Sequence, residues 1–165
     1  MNTFVQNNLI NLSKSIKMNL VAPVSRIMTK ELITLGVNDS LEDVKKLFDT
    51  HSFHHIPVVD KDGKLLGIVS KQDFLYFLHG FSDKSGDETG HALLNKTKVE
   101  KIMTTGLAKL EPTMHINVAL EVFKENLFHA LPVVDDDGKL VGIITTYDII
   151  RAISEDPIAL EDYKR

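Results

Sequence analysis

The sequence predicts a mixed α/β fold of the α+β type, made of two copies of one small unit related by a pseudo-twofold axis. Two observations carry this expectation. The chain repeats itself at a constant offset, from Val24 and Val99 through to Asp73 and Asp148. Each copy also runs through the same order of periodicities, reading strand–helix–strand–strand–helix.

The repeat is explicit in the residues. Val24-Ser25-Arg26-Ile27-Met28-Thr29 recurs as Val99-Glu100-Lys101-Ile102-Met103-Thr104. Phe53-His54-His55-Ile56-Pro57-Val58-Val59-Asp60 recurs as Phe128-His129-Ala130-Leu131-Pro132-Val133-Val134-Asp135. Asp62-Gly63-Lys64-Leu65 matches Asp137-Gly138-Lys139-Leu140, and Gly67-Ile68 matches Gly142-Ile143. Residues 24–78 therefore align with 99–153 without a gap, and roughly 20 of about 55 positions are identical, far beyond a chance ungapped match.

Within each copy the elements follow in order. A short extended run comes first, Leu32 to Leu35 or Leu107 to Leu110. An amphipathic helix follows, with Leu41, Val44, Leu47 and Phe48 on one face, or Ile116, Ala119, Val122 and Phe123. Ser40 suits its N-cap, with Asp43 at the reciprocal capping-box position. Next come a buried strand (Ile56 to Val59, Leu131 to Val134), an Asp-Gly turn that exploits glycine's access to positive φ, and a second strand (Leu65 to Val69, Leu140 to Ile144). A last helix starts near Ser70 or Thr145. One unit alone has little core, whereas two can bury their sheets against each other.

Composition narrows the class of function. The 165 residues suffice for a core without disulfide or metal. There is no Cys, which excludes thiol chemistry and Cys-based metal sites. The net charge is -4, with no Lys/Arg block, no Trp and few aromatics, so a nucleic-acid partner is not expected. No secretory signal or membrane-spanning run is present, and the expected location is the cytoplasm. Residues 1–23 carry apolar side chains near helical spacing and read as an N-terminal helical extension. Residues 79–98 form a connector whose stretch Ser82 to Gly90 reads as loop, and residues 154–165 read as a frayed tail. None of these segments contains a recognisable catalytic domain, so the module reads as freestanding.

The Ile-Met-Thr string, the His-x-x-Pro-Val-Val-Asp strand, the Asp-Gly-Lys-Leu turn and the Gly-Ile-Val-Ser-x-x-Asp run resemble a CBS (cystathionine-β-synthase-type) domain. Two in tandem resemble a Bateman module. The resemblance covers residues 24–78 and 99–153, about two thirds of the chain, and rests on several motifs in fixed order, each found twice. It implies a regulatory module that senses an adenosine-containing nucleotide in clefts between the repeats. It also implies pairing into a homodimer that acts on a protein partner.

The candidate ligand motifs are Ser70-Lys71-Gln72-Asp73 and Thr145-Thr146-Tyr147-Asp148, each following a strand and opening a helix. Two readings fit these residues. Both motifs satisfy a capping box, with the hydroxyl at N-cap and the carboxylate at N3. The same geometry also offers free N–H groups to a phosphate and a carboxylate to a ribose diol. The resemblance assigns the ribose to the Asp and places the hydroxyl near the phosphate. It further implies that each motif faces the opposite repeat. Thr145 and Asp148 then meet Thr29, Leu32, Ile33, Thr34, Phe53 and His54, with Tyr147 and His55 as further candidate contacts. Ser70 and Asp73 meet Thr104, Leu107, Ala108, Lys109, Phe128 and His129, and Gln72 is a further candidate contact. Phe53 and Phe128 fit an ordinary core role equally well.

The two copies differ at the contact positions: His55 becomes Ala130, Lys71 becomes Thr146, Gln72 becomes Tyr147 and Tyr76 becomes Arg151. His55, Lys71 and Arg151 suit phosphate contacts. AMP, ADP, ATP and S-adenosylmethionine stay open as ligands, and the lack of an Arg cluster makes a triphosphate less comfortable. No cofactor is required. Three rivals stand beside the sensor. An enzyme lacks support, because no P-loop, His-Glu-x-x-His or Gly-x-Ser-x-Gly is present. A metal site at His51, His54 and His55 lacks acidic or Cys partners at metal spacing. A ligand-free module that dimerises and docks a partner differs from the sensor only in binding no nucleotide.

Overall fold

The computed structural model describes residues 19–80, 87–126 and 128–154. The expected N-terminal helix and C-terminal tail fall largely outside these residues. Repeat 1 opens with a 3-10 turn at Val24–Arg26, then α1 (Leu41–Thr50), β1 (His55–Val59), β2 (Leu65–Ser70) and α2 (Lys71–His79). After α3 (Asp87–Lys96), repeat 2 gives a 3-10 turn at Val99–Lys101, then α4 (Ile116–Asn126), β3 (Ala130–Val134), β4 (Leu140–Thr145) and α5 (Thr146–Ser154).

Local chemistry accounts for the element ends. Ser40 caps α1 through a reciprocal capping box with Asp43. The α1 face Leu41, Val44 and Phe48 is buried, as its spacing predicts. β1 and β2 pair antiparallel from His55↔Ser70 to Val59↔Leu65, with a bulge at Val58/Val59, and β3 and β4 repeat this register and its bulge. Gly63 (φ 81°) and Gly138 (φ 78°) close the hairpins in the left-handed region. The first expected strand of each unit is narrower than its sequence suggests. Only Leu35 and Leu110 pair, each as a single parallel bridge, to Val58 and Val133.

The connector departs from expectation. Asp87 to Gly90, read as loop, belong to α3. The helix packs on α1 and buries Leu94 in the core of repeat 1, so tertiary burial overrides the turn-rich composition. His91 Nδ1 lies 3.5 Å from Glu42 Oε2 between the two helices.

The lead-in to each repeat packs on the other repeat. Val24 N–H donates to Met114 O (2.8 Å), and Ile116 N–H to Ala22 O (3.0 Å). Ala22 and Val24 are thereby built into the core of repeat 2. Reciprocally, Val99 N–H donates to Asp39 O (2.9 Å), and Val99 lies in the core of repeat 1. Both valines are fully buried, each gaining about 1.5–3 kcal/mol from the transfer out of water. The exchange continues into the sheets. Thr29 pairs with Ile143 of β4 and Thr104 with Ile68 of β2, both antiparallel. Each hairpin thus acquires an extra bridge from the partner repeat. The hairpin turns also meet, with Leu65 N–H on Gly138 O (3.1 Å) and Leu140 N–H on Gly63 O (3.0 Å).

The crossed sheet contacts explain two glycines. A Cβ at Gly67 would lie 2.8 Å from the Thr104 carbonyl oxygen, and one at Gly142 would lie 2.5 Å from Met28 Sδ. At Gly67 the neighbour is backbone, so only a residue without a side chain lets the crossing segment approach this closely; at Gly142 it is the flexible Met28 side chain.

Candidate functional site

Both Ser/Thr-x-x-Asp motifs form the capping boxes that their spacing predicts. In repeat 1 the Ser70 hydroxyl donates to Asp73 Oδ2 (2.6 Å) and accepts from Asp73 N–H (3.0 Å), while Ser70 N–H donates to Oδ2 (3.1 Å). In repeat 2 the Thr145 hydroxyl and N–H donate to Asp148 Oδ2 at 2.6 and 2.8 Å. The second carboxylate oxygens differ. Asp148 Oδ1 accepts from Thr29 Oγ1 (3.0 Å) and from Arg151 Nη2 (3.2 Å). Asp73 Oδ1 receives no hydrogen bond from any described residue. Asp148 is 2% exposed and is the buried charged residue among those described, whereas Asp73 is half-buried. A carboxylate this deep needs such donors to stay ionised without a large penalty.

Two clefts lie where the repeats face each other. The larger has a volume of about 1220 Å³ and contains Asp148, Thr145, Tyr147 and Arg151 from repeat 2. Facing them are Thr29, Leu32, Ile33, Phe53, His54 and His55 from repeat 1. The smaller, about 260 Å³, contains Ser70 and Asp73 opposite Thr104, Leu107, Ala108, Phe128 and His129. The crossed arrangement arises from the exchanged lead-ins, which carry Thr29 and Thr104 onto the opposite hairpins. His55, Ser70 and His129 line both clefts and form their common wall.

Gln72 lines the larger cleft beside Lys71. Some expected residues sit elsewhere. Thr34 and Lys109 are exposed and line neither. Each directly precedes the residue that turns inward to bridge β1 or β3, so its side chain points to solvent. Phe53 packs edge-on against Phe48 (6.2 Å) at the border of the core and also lines the cleft, so both readings of it hold. Its counterpart Phe128 is 42% exposed in the smaller cleft.

Other residues line the larger cleft that the sequence did not mark as nucleotide contacts. Ile143 of β4 lines it, and His51 stacks on Phe53 with centroids 5.0 Å apart and planes at 15°. His55 lies below its ordinary range, first because it is buried and then because His129 and His54 oppose a further positive charge; Asp73 acts in the opposite direction. Among the described residues no group of three or more His, Asp or Glu is placed to hold a metal ion. No helix among them is long and apolar enough to cross a membrane.

The crossed hairpins, paired capping boxes and inter-repeat clefts define a tandem two-repeat α+β fold, and comparison with known proteins identifies it. The CBS domain profile matches residues 24–80 and 99–155, and the chain belongs to the CBS domain family. It is 33% identical over 152 residues to an uncharacterized protein of Methanocaldococcus jannaschii, covering 79% of this chain and 90% of the relative. Among solved structures, CBSX2 of Arabidopsis thaliana in complex with AMP superposes with a TM-score of 0.65 at 28% identity, covering 79% of this chain and 95% of that one. The CBS domain pair of protein MJ0100, in complex with 5′-methylthioadenosine and S-adenosyl-L-methionine, gives 0.67 at 28% identity, with coverage of 82% and 98%. Other relatives are named as enzymes, among them the M. jannaschii inosine-5′-monophosphate dehydrogenase and L-aspartate semialdehyde sulfurtransferase. This chain spans only 23% and 22% of their lengths.

Proposed function

We propose that this protein is a regulatory module that binds an adenosine-containing nucleotide between its two CBS repeats and carries out no reaction of its own. The observation that carries this reading is the buried Asp148 carboxylate. It is held by Thr145 from its own repeat and by Thr29 from the other, at the wall of a cleft large enough for a nucleotide. A ligand whose ribose reaches Asp148 would touch both repeats, bind one relative arrangement better than others, and shift that population. The similar structures support the ligand class, since CBSX2 is described with AMP and the MJ0100 pair with 5′-methylthioadenosine and S-adenosyl-L-methionine. Leu32, Ile33 and Phe53 supply the apolar enclosure for the base. Lys71 and Arg151, with His54, line the same cleft and support a phosphate there. The output passes to a protein partner, most simply from a homodimer. Exposed Leu75 and Tyr76 on α2, and Ile150 and Ile153 on α5, support that pairing.

Thermal unfolding with and without AMP or S-adenosylmethionine tests the reading. A ligand at about 100 times its dissociation constant stabilises the fold by about 2.7 kcal/mol, so a concentration-dependent rise in melting temperature is expected. An unchanged melting temperature at millimolar concentrations of both ligands would instead favour a module that docks a partner without a nucleotide.

A further inference from the structure

We infer that the smaller cleft takes an adenosine compound without a phosphate at neutral pH, and that a nucleotide belongs in the larger one. The inference rests on the nucleotide-binding reading above and adds to it the ligand charge that each cleft accepts. Asp73 brings a carboxylate to the smaller cleft, and no Lys or Arg among the described residues lines it. Lys109, next to Ala108 on its wall, is exposed and lines neither cleft. Asp73 Oδ2 is engaged by Ser70, while Oδ1 receives no hydrogen bond from any described residue and suits a ribose hydroxyl. A phosphate on the same ligand would meet that carboxylate with no fixed cation beside it, a like-charge arrangement that weakens binding. The start of α2 does not make up the difference. Ser70 N–H donates to Asp73 Oδ2 (3.1 Å), Asp73 N–H to Ser70 Oγ (3.0 Å) and Lys71 N–H to His54 O (2.8 Å). These N–H groups, which a helix N-terminus ordinarily turns toward an anion, are engaged within the protein. The volume of about 260 Å³ also suits the more compact ligand, since small-molecule sites usually span roughly 300–1,000 Å³.

The larger cleft is balanced differently. Lys71 and Arg151 stand with Glu31 and Asp148 on its wall, so its fixed charges offset one another, and His51 and His54 add two groups that can be protonated. For the smaller cleft the groups able to become positive are His55 and His129, on the wall that the two clefts share. His55 stands opposite Ser70 of β2. Burial, then His129 and His54, hold it below its ordinary range against the pull of Asp73, so it is uncharged at neutral pH. As pH falls below about 6.5 a proton on this wall becomes accessible, and a phosphate beside it favours that proton. The affinity of the smaller cleft for a phosphate therefore rises as pH falls, whereas its affinity for an uncharged nucleoside has no such dependence on a nearby positive charge.

Calorimetric titrations with adenosine and with AMP at pH 7.5, on the unmodified chain and on Asp73→Ala, read which ligand uses the smaller cleft. AMP is expected to fill one site per chain, and Asp73→Ala to lose an adenosine site and no AMP site. The smaller cleft should prefer adenosine over AMP by about tenfold or more, the size of one unfavourable charge contact. At pH 5.5 the unmodified chain should gain a second AMP site, and the double variant His55→Gln, His129→Gln should not. That arm changes no helix cap, so it tests the proposal even where Asp73→Ala fails to fold. Two AMP sites in the unmodified chain at pH 7.5, or a second site at pH 5.5 that survives the double histidine variant, would overturn the charge selectivity while leaving nucleotide binding intact. Loss of an AMP site and of no adenosine site in folded Asp73→Ala at pH 7.5 would overturn it equally. Failure of the unmodified chain to bind either ligand at either pH would overturn the binding reading and the selectivity with it.

Discussion

Thr29 and Asp148, 119 residues apart in sequence, share a 3.0 Å hydrogen bond across the interface between the repeats. The bond exists because the lead-in to repeat 1 is built into repeat 2, where Thr29 pairs with Ile143 on β4. The counterpart Thr104 makes the same backbone pairing with Ile68, but Asp73 receives no bond from its hydroxyl.

That asymmetry predicts unequal costs for one substitution. Thr29→Val keeps the shape but strips a donor from a buried carboxylate, and should cost about 1–2 kcal/mol in urea unfolding. Thr104→Val removes an exposed hydroxyl and should stay within about 0.5 kcal/mol. Equal losses in the two variants would show that the hydroxyl bond contributes nothing distinctive.

The close approaches at Gly67 and Gly142 predict a second contrast. An alanine at Gly142 meets Met28 Sδ, part of a flexible side chain that can turn aside. An alanine at Gly67 meets the Thr104 backbone oxygen, which can yield only if the whole crossing segment moves. Gly142→Ala should cost about 1 kcal/mol and Gly67→Ala about 2–3 kcal/mol. Gly67→Ala should also weaken ligand binding in the smaller cleft, because Thr104 is part of its wall. Paired stability and binding measurements on the two variants check this.

His55 predicts how stability varies with pH. Its folded-state pKa is depressed below 6.5 by burial and by His129 and His54, with Asp73 opposing. The unfolded chain therefore binds more protons than the folded one as pH falls below about 6.5. Stability is retained above that value and declines as pH falls through 6.5 toward the folded pKa. Urea midpoints measured from pH 7.5 down to pH 5.5 should fall, and His55→Gln should flatten that part of the profile. A slope unchanged in His55→Gln would assign it to other groups.

Much of this architecture was legible in the sequence because the repeat is ungapped. Any motif read in one copy could be checked in the other, which fixed the hairpins, the Asp-Gly turns and the capping boxes. The facing of Asp148 and Thr29 followed from family resemblance, since no local pattern encodes a contact over that separation. The helix Asp87–Lys96 was missed because its polar first turn reads as loop and only the burial of Leu94 against α1 stabilises it. The resemblance places Thr34 and Lys109 at the clefts as parts of extended runs, whereas within those runs only Leu35 and Leu110 pair and Thr34 and Lys109 are exposed. The Arg151–Asp148 contact lies at i, i+3 on one helix, a spacing open to inspection. Its significance appears only once the cleft beside it is known.

The measurement that tests the central claim most directly is a calorimetric titration of AMP into the unmodified chain, Asp148→Ala, Asp73→Ala and the double variant. Circular dichroism would establish that each is folded. The account predicts saturable binding to the unmodified chain, loss of the larger-cleft component in Asp148→Ala, and no binding in the double variant. Unchanged binding in a folded double variant would contradict it, leaving both carboxylates as helix caps with no part in holding a ligand.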